Sequence, residues 1–78
     1  MNSADFVQVV AGVLDVEPAA VVDDAGPRTL GSWTSMRHIQ LVVALEETYG
    51  VSFSAAEIRS VDSIGAVRTI LTSRGVEL

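Results

Sequence analysis

The sequence predicts an all-α protein: a small four-helix bundle of three main helices and one short one, with a long loop between the first and second helices. Three observations carry that prediction. Apolar residues recur at three- and four-residue spacing in three separate stretches, the signature of helices with one buried face. Polar capping residues stand ahead of the later stretches, and glycines stand just past two of them. The alternating stretch Val51 to Phe53 is too short to make a sheet.

The first helix is expected from about Ser3 to Asp15, capped by Asn2 or Ser3, with Phe6, Val9, Val10, Val13 and Leu14 on one face. It should stop near Glu17, because Pro18 disfavours helical geometry in the residue before it. Glu17 to Thr34 contains Pro18, Gly26, Pro27 and Gly31 and no periodic pattern. Loops of this length are uncommon in compact domains and tend to be functional. Val21, Val22 and Leu30 are expected to pin it to the core.

The second helix should open at Ser35 and close at Gly50, a residue suited to the left-handed position after a helix. Leu41, Val42, Leu45 and Tyr49 form its apolar face. Ser54 with Glu57 three residues later makes a capping box, so a short helix is expected from about Ala55 to Arg59. Asp62 or Ser63 then caps a last helix with Ile64, Val67, Ile70 and Leu71 inward, closing near Gly75.

At 78 residues the chain reads as one domain over residues 1–78. With no cysteine, neither a disulfide framework nor a thiolate metal site is available, and a lone histidine argues against a structural metal centre. Hydrophobic packing must carry the fold, with a stability of about 4–12 kcal/mol by per-residue scaling. Ten acidic and five basic residues give a net charge of −5. The basic residues are scattered arginines, so no stripe exists for a nucleic-acid backbone. An acidic surface suits docking onto positive patches instead. The N-terminal MNSADFVQ does not read as a signal peptide, and the longest apolar run, Leu41 to Leu45, is too short to span a bilayer. The expectation is a cytoplasmic protein, with no membrane partner.

Ser35 places a hydroxyl where a polar turn meets an amphipathic helix. Unpaired N–H groups and the positive end of the helix dipole favour an anion there. The alternative is that Ser35 is only the N-cap. Ser32 and Thr34 are rival modification sites, but neither opens the apolar periodicity. Met36, Ile39 and Val43 form a second apolar stripe, read either as core or as a docking patch, with Ile39 partly buried and the other two at the rim. Ser35 and His38 could touch on a helix, yet a hydrolase would also need an orienting acid and an oxyanion hole. No catalytic residue is therefore assigned. His38 is expected at the solvated rim, Trp33 as a staple onto the core, and Asp23-Asp24 as a solvated loop rather than a cation site.

Thr34-Ser35-Met36, followed by LVVALEETYGV at Leu41 to Val51, resembles the acyl and peptidyl carrier proteins, whose signature serine, usually within Asp-Ser-Leu, opens the second helix of a four-helix bundle. The resemblance spans the chain, through Leu30-Gly31 ahead of the motif, Phe53 after it, and Val61 to Ile64 before the last helix. It implies that a phosphopantetheinyl transferase moves 4′-phosphopantetheine from coenzyme A onto Ser35, and that the arm's thiol holds acyl or aminoacyl groups as thioesters. The lack of cysteine agrees with a thiol that belongs to the prosthetic group.

The resemblance further implies a monomeric, non-catalytic carrier. Its partners would be the transferase, an acyl-loading acyltransferase or ligase, and a ketosynthase or other synthase domain. Met36, Arg37, Ile39, Gln40, Val43, Glu46 and Glu47, with Arg59 and Val61, would present the partner surface. Thr34 replaces the usual aspartate and Met36 the usual leucine, while Arg37 and Gln40 stand where fatty-acid carriers place acids. These departures point toward polyketide or nonribosomal peptide biosynthesis rather than fatty-acid synthesis. A reading from another class is a non-covalent helical adaptor that docks a partner on the Met36, Ile39 and Val43 stripe.

Overall fold

Helix α1 spans Ser3–Leu14, α2 Ser35–Tyr49, α3 Ala55–Ser60 and α4 Ile64–Ser73 in the computed structural model, which describes residues 3–78. No strand occurs among the described residues, and Val51 to Phe53 is irregular. The caps expected from Asn2 or from the Ser3 side chain lie outside the described residues. No described helix is long and apolar enough to cross a membrane.

The first helix ends earlier than Pro18 would require. Asp15 takes the left-handed conformation, φ 56°, and the Val16 N–H donates back to the Ala11 carbonyl at 3.1 Å. This wraps the last turn shut, and aspartate is among the few non-glycine residues that tolerate it. Pro18 instead opens a single 3-10 turn, Pro18–Ala20.

The long connection is fixed in place by α4. The Ala25 and Asp23 carbonyls accept from the Ile64 and Gly65 N–H groups at 2.9 and 2.8 Å, while Ser63 Oγ accepts from Ala66 N at 3.1 Å. The loop and the Ser63 cap thus satisfy donors that a helix start leaves unpaired. Gly26 permits the approach, because a Cβ there would collide with the Asp62 carbonyl oxygen. Asp23, expected to be merely solvated, pairs with Arg68 Nε at 2.8 Å, and the Arg68 guanidinium lies 4.6 Å from the centroid of the Phe6 ring. Val21 is buried and Leu30 half-buried as expected, but Val22 is 49% exposed. The turn closed by Ala25 N to Val22 O sends Val22 outward and gives its core position to Ala25.

The core collects Phe6, Val10 and Leu14 from α1, Leu41, Val42 and Leu45 from α2, and Ile64, Val67 and Leu71 from α4, with Trp33, Phe53 and Val61 closing its edges. Burying each large aliphatic side chain contributes about 1.5–3 kcal/mol. Among the described residues no polar or charged one is fully buried. Apolar packing seats α2 in the bundle, with the start of the helix at the surface.

Candidate functional site

The start of α2 is built by Thr34. Its backbone is extended and its Oγ1 accepts from the Arg37 N–H at 3.3 Å, so Thr34, and not Ser35, is the N-cap. A capping hydroxyl is turned back toward the first N–H groups of its helix. With Thr34 in that role, Ser35 is the first helical residue, exposed, and among the described residues no hydrogen bond engages its Oγ. The rival Ser32 has an Oγ that is buried without a partner, and Thr34 is committed to its cap.

The Ser35 and Met36 N–H groups find no protein acceptor among the described residues. They point the positive end of α2 at the space beside Ser35. A cleft of about 140 Å³, lined by Pro27, Trp33, Thr34, Ser35 and His38, opens there. An accessible hydroxyl, two open donors and a shallow cleft suit a phosphodiester on Ser35 Oγ.

His38 is half-buried, in keeping with a place at the rim, and both of its ring nitrogens are engaged. Its Nδ1 accepts from Trp33 Nε1 at 3.0 Å and its Nε2 lies 2.8 Å from the Ile58 carbonyl oxygen. A carbonyl only accepts and an indole N–H only donates, so the ring is neutral with its proton on Nε2. Neither nitrogen is left to activate Ser35. Trp33 is buried as expected of a staple, yet the residue it staples is His38, with ring centroids 6.0 Å apart and planes at 25°.

Arg37 Nη1 donates to the Leu14 carbonyl oxygen at 2.9 Å. Leu14 ends α1 and Ile58 lies in the last turn of α3, so successive residues of α2 close the C-termini of two different helices. The end that carries Ser35 is thereby clamped from both sides.

Met36, Ile39 and Val43 are 71%, 53% and 44% exposed, so the core reading of the stripe fails and Ile39 is more open than expected. The three flank one another on the side of α2 away from Leu41 and Leu45. Gln40, Glu47 and Arg59 are exposed. Glu46 is half-buried, its Oε2 accepting from the Phe53 N–H at 2.8 Å. Val61, expected at the surface, is 5% exposed: it follows α3 in extended conformation and turns into the core. Sequence reasoning missed Pro27 and Ile58 at the site. Only the spacing of Trp33 and His38 around the Thr34 cap, the positions that pair in a staple, gave a local signal.

Among the described residues no group of His, Asp or Glu is arranged to hold a metal ion. Residues 4–71 match the family described as "Phosphopantetheine attachment site". A curated relative, polyketide-8 synthase acyl carrier protein 2 of Streptomyces avermitilis, is 36% identical over 67 residues, which cover 86% of this chain and 77% of the relative. The chain belongs to the carrier-protein family defined by a phosphopantetheine attachment site, and 4′-phosphopantetheine is its prosthetic group.

Proposed function

We propose that Ser35 is the attachment residue and that the chain carries acyl intermediates as thioesters in polyketide assembly. The observation that carries the assignment is the unengaged, exposed Ser35 hydroxyl at the first position of α2, beside two open N–H groups. The polyketide context rests on the relative's name and on a first turn of α2 that lacks acidic residues.

A serine hydroxyl is a weak nucleophile without a base. His38, the one titratable side chain among the described residues lining the cleft beside Ser35, is occupied at both nitrogens. The transferase therefore supplies the base, and this chain supplies an acceptor hydroxyl held at a fixed place. Once attached, the arm supplies a thiol for thioester chemistry. Tethering raises the local concentration of cargo at each enzyme it visits. The chain is in this reading a non-catalytic, monomeric and cytoplasmic carrier.

Met36, Ile39, Gln40, Val43, Glu47 and Arg59 form the surface offered to the transferase, to an acyltransferase or ligase, and to a ketosynthase or other synthase domain. Arg37 and Glu46 support that surface from within through Leu14 and Phe53.

Intact mass after incubation with coenzyme A and a promiscuous phosphopantetheinyl transferase tests the assignment. The expected result is a gain of one phosphopantetheinyl group, lost in Ser35→Ala. A gain that survives Ser35→Ala would move the site elsewhere. No gain at all, in a folded protein, would favour the adaptor reading.

A further inference from the structure

We propose that His38 is a positioning residue for arm transfer: as a neutral bolt between Trp33 and Ile58, it holds the turn ahead of Ser35 and the last turn of α3 in the single arrangement that the transferase recognises. The inference rests on Ser35 being the attachment residue.

Trp33 and His38 occupy the two staple positions that flank a helix start, one residue before the cap and four after it. A staple fixes the angle at which the chain enters a helix, and is ordinarily a contact between two apolar groups. Here it is a directed hydrogen bond between two rings whose planes differ by 25°. Trp33, Thr34, Ser35 and His38 line one cleft, so the angle set by this contact places the Ser35 hydroxyl relative to the surface around it.

The second bond reaches another element. Ile58 O belongs to the last turn of a six-residue helix, too short to be stable alone. Its N-terminus is held by the capping box of Ser54 and Glu57, and His38 holds its C-terminal turn. Arg59, a partner-surface residue, follows Ile58 directly. One imidazole thus ties the attachment turn to the neighbouring face that an enzyme would cover.

The bond from Trp33 needs an unprotonated Nδ1. Added at Nδ1, a proton would face the indole N–H, donor against donor, while the Nε2 bond to Ile58 could persist. Arg37, next to His38 on α2, turns its guanidinium to the Leu14 carbonyl oxygen, and among the described residues no ion pair involves the imidazole.

The chain has one tryptophan, so its indole N–H gives a single nuclear magnetic resonance signal. His38→Asn keeps an acceptor near Nδ1, and His38→Gln keeps a donor near Nε2. In His38→Gln and His38→Ala the indole signal should lose its hydrogen-bonded position, while His38→Asn retains it. The KM for apo-protein in the transferase reaction should rise about threefold to tenfold in His38→Ala, the range one net hydrogen bond supplies. Each single-bond variant should recover part of that rise, with kcat unchanged. Circular dichroism checks that the variants remain helical, and the Asn and Gln variants carry the test if Ala unfolds. An unmoved indole signal in His38→Gln, or equal KM values in all folded variants, overturns the proposal. A failure of the unaltered protein to gain mass would instead strike the Ser35 assignment.

Discussion

Arg37 on α2 closes the C-terminus of α1 through the Leu14 carbonyl oxygen. A cation in the first turn of a helix is ordinarily disfavoured by that helix's dipole. Here its head lies at the negative end of a neighbouring helix, which reverses the sign. Arg37→Ala should destabilise the fold by about 1.5–3 kcal/mol, the range for a hydrogen bond to a charged group. Urea denaturation reads it, and a midpoint unchanged from the parent would deny Arg37 this role.

Two glycines should respond oppositely to alanine. A Cβ at Gly26 meets the Asp62 carbonyl oxygen, so Gly26→Ala should cost about 1–3 kcal/mol or more as loop and α4 are forced apart. Gly12 is exposed on α1 with nothing near its Cβ position, so Gly12→Ala should stabilise by about 0.5–1 kcal/mol. Thermal melts of the two variants compare them directly.

Glu57 contributes acid-sensitive stability. The Ser54 backbone N–H, and then Arg74, hold its carboxyl below the ordinary value of 4.5. A group depressed in the folded state stabilises above its unfolded pKa and loses that contribution as pH falls through the folded one. Stability should therefore decline below about pH 4.5, the ordinary carboxylate value. Glu57→Gln should flatten that decline, and denaturation midpoints across the acid range measure it.

Tyr49 has a hydroxyl buried without a hydrogen-bond partner. Burial, reinforced by the charge of Asp5, raises its pKa above the ordinary 10.0. The neutral phenol is the form that suits the fold, so its contribution is present below pH 10.0 and lost as pH rises through the raised value. Tyr49→Phe should remove that alkaline loss and leave stability at neutral pH unchanged or raised by up to about 1 kcal/mol, because an unpaired hydroxyl is no longer buried. A large destabilisation would mean that the hydroxyl has a partner.

Glu46 and Glu47, adjacent acids, should separate by assay. Glu46→Ala removes the acceptor for the Phe53 N–H and should cost about 1–3 kcal/mol. Glu47→Lys, on the surface, should leave stability within about 0.5 kcal/mol. It should weaken docking of the transferase and reduce the loss of affinity seen with rising salt. Salt-independent docking of the parent would contradict the charge argument.

The helices were legible because periodicity and caps are local. Leu41, Leu45, Ser54, Glu57 and Gly50 all do what their spacing predicts. What failed depends on distant partners. Arg37 reaches a carbonyl 23 positions away and His38 one 20 away, and no pattern within a turn of either announces this. Val61 was misplaced because its burial follows from the extended exit of α3 rather than from a helical face. Asp15 ended α1 by its own left-handed turn, whereas Pro18 was the louder signal. At the site, the helix start expected at Ser35 is where the structure puts it. That Thr34 takes the cap and leaves Ser35 unengaged emerged only from the geometry.

The carbonyls of Asp23 and Ala25 give the segment between α1 and α2 a mechanical meaning. A strand of chain whose own backbone oxygens plug the mouth of another helix behaves as a strut and not as slack. Proteases should find it no easier to cut than the helices beside it. Lengthening or trimming it by one residue between Val22 and Gly26 should unseat α4 and with it the whole bundle, whereas a change of length after Pro27, toward Ser35, should be better tolerated.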